Sequence, residues 1–196
     1  MWNDLNSKGK IFILSAPAGT GKTTLVNMLT EEYKHVVRSI SYTSRAPRPE
    51  ERNAVDYFFV SREEFEQKIR KGDFLEYVSL YGNYYGTDLQ WIQSHLKEGH
   101  HVILVIDTQG ALKLKGKIPA VFIFVKPPSL EELRRRIEER QTENQEMIRK
   151  RLDWAQKEIQ ASNQYDYIIV NDQLDKAFSV LKSIVIAEEH RNIREA

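Results

Sequence analysis

One glycine-rich segment has residue types suited to binding phosphate. It lies between a strand-length apolar run and a helical pattern, and it reads Ser15-Ala16-Pro17-Ala18-Gly19-Thr20-Gly21-Lys22-Thr23-Thr24. It matches G-x-x-x-x-G-K-[ST] except at the first position, where Ala16 replaces glycine. Gly19 and Gly21 allow amides to turn inward at a helix N-terminus, where the dipole favours an anion. We expect Lys22 to contact nucleotide phosphates and Thr23 to hold Mg²⁺. The alternative is an ordinary turn with a solvated lysine.

A second segment is suited to a separate phosphate group. It reads Ser41-Tyr42-Thr43-Ser44-Arg45-Ala46-Pro47-Arg48-Pro49. Its two guanidinium groups are three residues apart on a loop stiffened by proline, and planar guanidinium forks match a phosphate dianion. Tyr57 and the segment 82–87 add hydroxyl donors. The two segments together predict one site for a nucleotide and another for a phosphorylated acceptor.

Apolar patterning predicts the elements that position these segments. Strand-length apolar runs at 11–15, 101–106, 120–125 and 167–170 alternate with helical patterns, as in a parallel, doubly wound α/β sheet. Core-facing helical stripes are expected at Leu174, Phe178, Leu181 and Val185, and at Leu89, Ile92 and Leu96. Helix starts are predicted by the pairs Ser61 and Glu64, Ser129 and Glu132, and Thr142 and Gln145. Helix ends are predicted at Gly72 and Gly99.

Two stretches depart from this alternation. Between about residues 39 and 86, aromatic and polar residues alternate around one short helix, which predicts a small mixed insertion. From 131 to 151 the chain is densely charged with both signs. We expect a poorly buried, mobile helical hairpin there, as in a lid.

Composition limits the classes of function. At roughly 150 residues per domain, the 196 residues predict one domain with an insertion or lid. The 29 Lys and Arg nearly balance the 28 Asp and Glu, which argues against bulk binding to nucleic acid or anionic membrane. The absence of cysteine excludes disulfides and thiol chemistry. No signal peptide or bilayer-length apolar run is apparent, so a cytoplasmic protein is expected. The oligomeric state stays open.

Several motifs in a fixed order resemble those of guanylate kinases over nearly the whole chain. They lie at 16–23, 41–48, 56–57, 74–76, 82–87, 106–110, 127–129 and 169–172. The resemblance implies a P-loop NTPase core of parallel sheet and flanking helices, formed by residues 1–38, 87–130 and 158–196. It also implies a small mixed α+β GMP-binding insertion at 39–86 and a helical lid at 131–157. The implied reaction is Mg²⁺-dependent phosphoryl transfer from ATP to GMP, giving ADP and GDP in purine metabolism.

The resemblance also implies roles for individual residues. ATP would be bound by Ala16, Pro17, Ala18, Gly19, Thr20, Gly21, Lys22, Thr23, Thr24 and Asn171. The GMP phosphate would be held by Arg45, Arg48, Tyr57 and Tyr85, and guanine would be read by Ser41, Glu76 and Thr87. Asp107 would orient GMP or metal-bound water. The catalytic set would be Lys22, Asp107, Arg136, Arg140 and Arg151, with Thr23 as the protein ligand of Mg²⁺.

The chemistry of Glu76 can be argued independently. Guanine presents two adjacent donors that one carboxylate accepts, whereas adenine has no N1–H donor, so a buried Glu76 would disfavour adenine. A solvent-facing strand residue is the alternative. Asp107 is equally typical of a helix N-cap, and Glu132 could hold Arg136 in a surface ion pair.

The chain departs from the family pattern at three places, and two rival functions fit parts of the sequence. Ala16 replaces a glycine and requires φ below zero, Val105 stands where the family usually has aspartate, and Glu139-Arg140-Gln141 replaces a Gly-Arg-Gly turn.

One rival function is a noncatalytic guanylate-kinase-like binding module, although such modules characteristically lose the loop lysine, present here as Lys22. The other is a P-loop kinase acting on another monophosphate or a sugar phosphate.

Overall fold

A five-stranded parallel sheet forms the centre of the computed structural model, which describes residues 9–139 and 145–192. The strand order is β2-β7-β1-β8-β9, and every neighbouring pair is parallel. The strands are β1 (Ile11–Ser15), β2 (Val36–Arg38), β7 (His101–Val105), β8 (Ala120–Lys126) and β9 (Tyr167–Val170). The α/β prediction is confirmed, and so are the four predicted strands, although Ile106 lies just beyond β7. β2 was not predicted from the sequence, because three residues give too short an apolar run.

Helices cover both faces of this sheet. Phe12 and Leu14 of β1 point to one hydrophobic cluster and Ile11 and Ile13 to the other, as strand alternation requires. The first cluster is closed by α1 (Lys22–Glu32) and α7 (Leu174–Glu189), and the second by α3 (Leu89–Lys97) and α4 (Thr108–Leu114). No helix among the described residues is long and apolar enough to cross a bilayer.

The predicted stripe on α7 is partly wrong. Leu174, at the start of the helix, is 39% exposed. The buried stripe runs through Ala177, Leu181, Ile184 and Val185. Apolar spacing predicted the right helix and three residues that contact the core, Leu181, Val185 and the partly buried Phe178, but it did not predict that the apolar residue in the first turn is exposed. On α3 the prediction fits better, since Ile92 and Leu96 are buried.

A second, mixed sheet forms between residues 42 and 88. Its strand order is β4-β3-β6-β5, with β3 (Tyr42–Thr43), β4 (Phe58–Phe59), β5 (Phe74–Leu80) and β6 (Asn83–Asp88). The helix α2 (Arg62–Lys71) packs on it through Phe65, which is fully buried and stacks on Phe74 with a centroid distance of 4.5 Å. Its predicted capping box at Ser61 and its left-handed end at Gly72 are both present.

Two charged helices, α5 (Leu130–Glu138) and α6 (Gln145–Ala161), form the predicted hairpin. The expectation of poor burial is wrong for its inner side, where Leu133, Ile137, Ile148 and Ala155 form a separate small core. Charged residues occupy the outer side, because amphipathic spacing segregates the two classes. Ser129 caps α5 by accepting from the Glu132 amide, whereas the Glu132 carboxylate bonds to arginines. The predicted cap at Thr142 lies outside the described residues.

Candidate active site

The glycine-rich segment forms a loop between the end of β1 and the start of α1. Gly19 and Gly21 have φ of 93° and 88°, conformations that glycine adopts without strain. Ala16 is not among the described residues with positive φ, so alanine is tolerated there as expected. The Lys22 Nζ donates to the carbonyl oxygen of Ala16 at 2.6 Å. The loop thus has the backbone turns that an anion site requires.

Asn171 supports this loop through a hydrogen bond to its backbone. It is buried directly after β9, and its Nδ2 donates to the carbonyl oxygen of Thr20 at 2.7 Å. A Cβ at Gly21 would lie 2.7 Å from the same Nδ2. Glycine at position 21 therefore serves both the left-handed turn and this close contact.

The two predicted phosphate arginines meet at a carboxylate that was not predicted. The Arg45 NH2 lies 2.8 Å from both oxygens of Glu51, and the Arg48 NH1 lies 4.0 Å from Glu51 Oε1. The Arg45 guanidinium lies 5.6 Å from the ring centroid of Tyr57, which is 5.9 Å from that of Tyr85. Burial raises the pKa of Tyr57, so its hydroxyl stays a donor at neutral pH. All five residues line one side of the cleft.

Glu76 of β5 is a buried carboxylate with one unused oxygen. It is 7% exposed, and its Oε1 accepts from the Thr87 hydroxyl at 2.7 Å. Its Oε2 is buried and has no hydrogen-bond partner among the described residues. Burial raises the pKa of Glu76 to about 7, an effect that the Thr87 bond opposes and the nearby Asp107 charge increases. The alternative that Glu76 faces solvent is therefore wrong. Its carboxylate is available to accept hydrogen bonds from two donors.

Strand β5 and helix α4 approach closely at Glu76. A Cβ on Gly110 of α4 would lie 2.6 Å from Glu76 Oε2. The Asp107 Oδ1 accepts from the Gly110 amide at 2.7 Å, so Asp107 is the N-cap of α4, as the sequence allowed. Its Oδ2 is buried and unpartnered within the described residues, and burial raises its pKa. An acidic group therefore remains available beside Glu76.

Glu158 of α6 is a second buried carboxylate that was not predicted. It is 6% exposed and accepts from the Thr108 hydroxyl at 2.9 Å. Burial raises its pKa, and the charge of Lys22 opposes that rise. Glu158 lies seven residues after Arg151, so both residues are on one helix face. This spacing is the only sequence signal that could have indicated Glu158. Glu158 has its partner 50 positions away, so it forms no local motif, whereas the partners of Glu51 lie within six residues in the same loop.

The hairpin arginines have different surroundings. The Arg136 Nε donates to Glu132 Oε1 at 2.7 Å, so the ion pair exists, and its NH1 donates to the Asn171 carbonyl oxygen at 3.2 Å. Arg151 lines the cleft beside Lys22. Arg140 lies outside the described residues, and so does most of the altered turn. Arg136 is therefore held at the end of β9, next to the loop.

One cleft of about 430 Å³ joins these groups. Among the predicted and described residues, those that do not line it are Pro17, Thr87, Arg136 and Asn171. Each of these bonds to a lining residue or to its immediate support. Val105, where the family pattern has aspartate, lines the cleft with an apolar surface. The Thr23 hydroxyl and the free oxygen of Asp107 are hard ligands of the type that Mg²⁺ prefers, so the donor set fits that ion.

Comparison with known proteins gives consistent results. The family model described as guanylate kinase matches residues 8–188. The chain is 58% identical over 186 residues to a guanylate kinase of Protochlamydia amoebophila, covering 95% of this chain and 94% of that protein. It is 50% identical to one of Chlamydia trachomatis serovar D, covering 93% and 89%. A crystal structure of guanylate kinase from Anaplasma phagocytophilum matches with a TM-score of 0.79 and 36% identity, covering 95% and 89%.

Proposed function

Because this chain belongs to the guanylate kinase family and is an ATP:GMP phosphotransferase, we propose that the cleft described above performs the transfer. The observation that carries the proposal is the buried Oε2 of Glu76, which has no hydrogen-bond partner among the described residues and lies in the same cleft as the phosphate loop. A buried acceptor without a partner is costly unless a ligand supplies a donor.

We assign the guanine to Glu76, Ser41 and Thr87. The ionised Glu76 accepts the N1–H and the exocyclic amine together, while Thr87 fixes the carboxylate through its bond to Oε1. Adenine would place an acceptor opposite this carboxylate and leave it unpaired. Asp107 orients GMP or a bound water from the other side of the same pocket.

We assign the GMP phosphate to Arg45, Arg48, Tyr57 and Tyr85. Glu51 holds Arg45 by a fork of two 2.8 Å contacts, so the guanidinium is oriented before the phosphate arrives. Oriented groups lose less side-chain entropy on binding. The phosphate dianion then binds beside Arg45, Arg48 and Glu51, whose charges nearly balance.

We assign the ATP phosphates to the loop 16–24, with Lys22 at the β- and γ-phosphates and Asn171 as the support of the loop. Arg136, Arg140 and Arg151 stabilise charge on the transferring group, a role that contributes about 10³ to 10⁵ in rate for a well-placed arginine. Mg²⁺, when bound, neutralises negative charge on the ATP phosphates. Thr23 would hold it together with water and phosphate oxygens. The GMP phosphate attacks in line, so neither a covalent intermediate nor a strong base is needed.

We further propose that the insertion 39–86 and the lid 131–157 close over the cleft and exclude water, which prevents wasteful ATP hydrolysis. The core comprises the remaining segments. The separate small core of the hairpin supports this division, because it allows the hairpin to move as a unit.

A coupled assay of ADP release from Mg-ATP tests the proposal, with GMP, AMP, CMP and UMP as parallel acceptors. Release with GMP alone is expected. Comparable turnover of AMP or a pyrimidine monophosphate would refute the guanine assignment. Silence with every acceptor, in a folded protein, would refute catalysis in this cleft.

A further inference from the structure

Arg38, the last residue of β2, connects three parts of the molecule. Its NH2 donates to the carbonyl oxygen of Val55 at 2.6 Å, and its NH1 donates to Asn27 Oδ1 at 3.2 Å. Val55 lies in the 39–86 insertion, and Asn27 lies on α1, the helix that begins at Lys22. One guanidinium therefore joins the core sheet, the helix of the phosphate loop and the insertion.

The turn that contains Val55 is closed by its own hydrogen bonds. The Ala54 amide donates to the Tyr57 carbonyl oxygen at 2.8 Å, and the Asp56 amide donates to the Arg52 carbonyl oxygen at 3.0 Å. The Asp56 side chain also accepts from the Arg52 amide at 2.8 Å. Because these bonds make the turn one compact unit, holding the Val55 carbonyl also holds Tyr57.

Tyr57 is the connection from this turn to the substrate. Its ring packs against the Arg45 guanidinium and against Tyr85, and Arg38 lines the same cleft. The planar fork of arginine donates in two fixed directions at once, which the ammonium of lysine does not reproduce. The bond pattern of Arg38 thus depends on its shape as well as its charge.

We propose that Arg38 is a positioning residue for the GMP phosphate, acting through Val55 and Tyr57 and tying that site to α1. The inference rests on the proposed assignment of Arg45 and Tyr57 to the GMP phosphate. It gives Arg38 a role that no motif in the sequence indicates, because its two acceptors come from distant segments.

Steady-state kinetics of Arg38→Ala test the role, with Arg70→Ala, an exposed arginine on α2, as the matched control. Arg38→Ala is expected to raise KM for GMP about tenfold, as the loss of one or two hydrogen bonds predicts, and to leave KM for ATP unchanged. Arg38→Lys keeps the charge and should retain most of this defect. Full recovery in Arg38→Lys, or an equal rise in both KM values, would overturn the proposal.

Two further measurements separate positioning from direct contact with phosphate. Without nucleotide, hydrogen exchange of the amides at 52–57 should accelerate in Arg38→Ala and not in Arg70→Ala. Asn27→Ala should raise KM for GMP less, and its effect should not add to that of Arg38→Ala, because Asn27 acts only through the guanidinium. Unchanged exchange or full additivity would refute the inference.

The kinetics of Arg45→Ala distinguish a failure of the proposed role of Arg38 from a failure of the proposed GMP phosphate site. If Arg45→Ala raises KM for GMP and Arg38→Ala does not, the role of Arg38 fails alone. If Arg45→Ala has no effect on KM for GMP, the proposed phosphate site itself fails.

Discussion

Replacing Glu76 by glutamine provides a direct test of how the base is read. Thr87 donates to Oε1, so in Glu76→Gln it keeps the amide oxygen on its side. The amide nitrogen then takes the place of the unpartnered Oε2 and presents a donor where guanine also presents one. One hydrogen bond to a charged group is lost, a cost of about 1.5–3 kcal/mol. This predicts a rise in KM for GMP of about 10- to 150-fold.

The assay for Glu76→Gln is ADP release with GMP and with AMP, together with thermal unfolding at several pH values. Burial raises the pKa of Glu76 from 4.5 to about 7, so the folded protein prefers the neutral carboxyl. The stability that this preference gives is present below pH 4.5 and is lost as pH rises to about 7. Above that range Glu76→Gln should unfold at a higher temperature than the parent protein. An unchanged KM for GMP would refute the assignment of guanine to Glu76.

Further predictions concern the loop, the phosphate grip and pH. Lys22→Ala should lower kcat by at least about 10²-fold with unchanged thermal unfolding, and retained turnover would exclude this loop as the donor site. Arg48→Ala should raise KM for GMP far more than KM for ATP, and equal losses would contradict its placement. Gly110→Ala should raise KM for GMP because its Cβ would lie 2.6 Å from Glu76 Oε2; an unaffected KM would show that the carboxylate can shift freely. In the parent protein KM for GMP should rise as pH falls from about 7 towards about 6, whereas Glu76→Gln should show no such rise over this interval, which lies above the second phosphate pKa of about 6.

Local sequence determined the parts of the site that are built locally. The phosphate loop was predictable because Gly19 and Gly21 fix its turns within a few residues. The cap of α2 was predictable for the same reason, since Ser61 and Glu64 bond to each other across one turn. Features of this kind depend on spacing along the chain and need no knowledge of tertiary packing.

Contacts between segments were not predictable. Glu158 meets Thr108 across 50 positions, and nothing beside Glu158 in the sequence indicates that partner. Leu174 was predicted as a core residue because apolar spacing indicates a helix face but not which turns of that face are covered; it is exposed. The family resemblance indicated Glu76 as the reader of the base, but only the structure reveals a buried oxygen that has no partner in the described part of the chain.

The close approach of Glu76 to Gly110 constrains how this protein can acquire a new substrate. The proposed base pocket lies between β5 and α4, and there is no room for a side chain at position 110 while the carboxylate keeps its place. A side chain at position 110 therefore requires that the residue at 76 first become shorter or shift, whereas the chemistry at 76 can change while position 110 stays glycine. The contact thus fixes an order of change, because selection for a different acceptor has to alter position 76 before position 110 becomes free to vary.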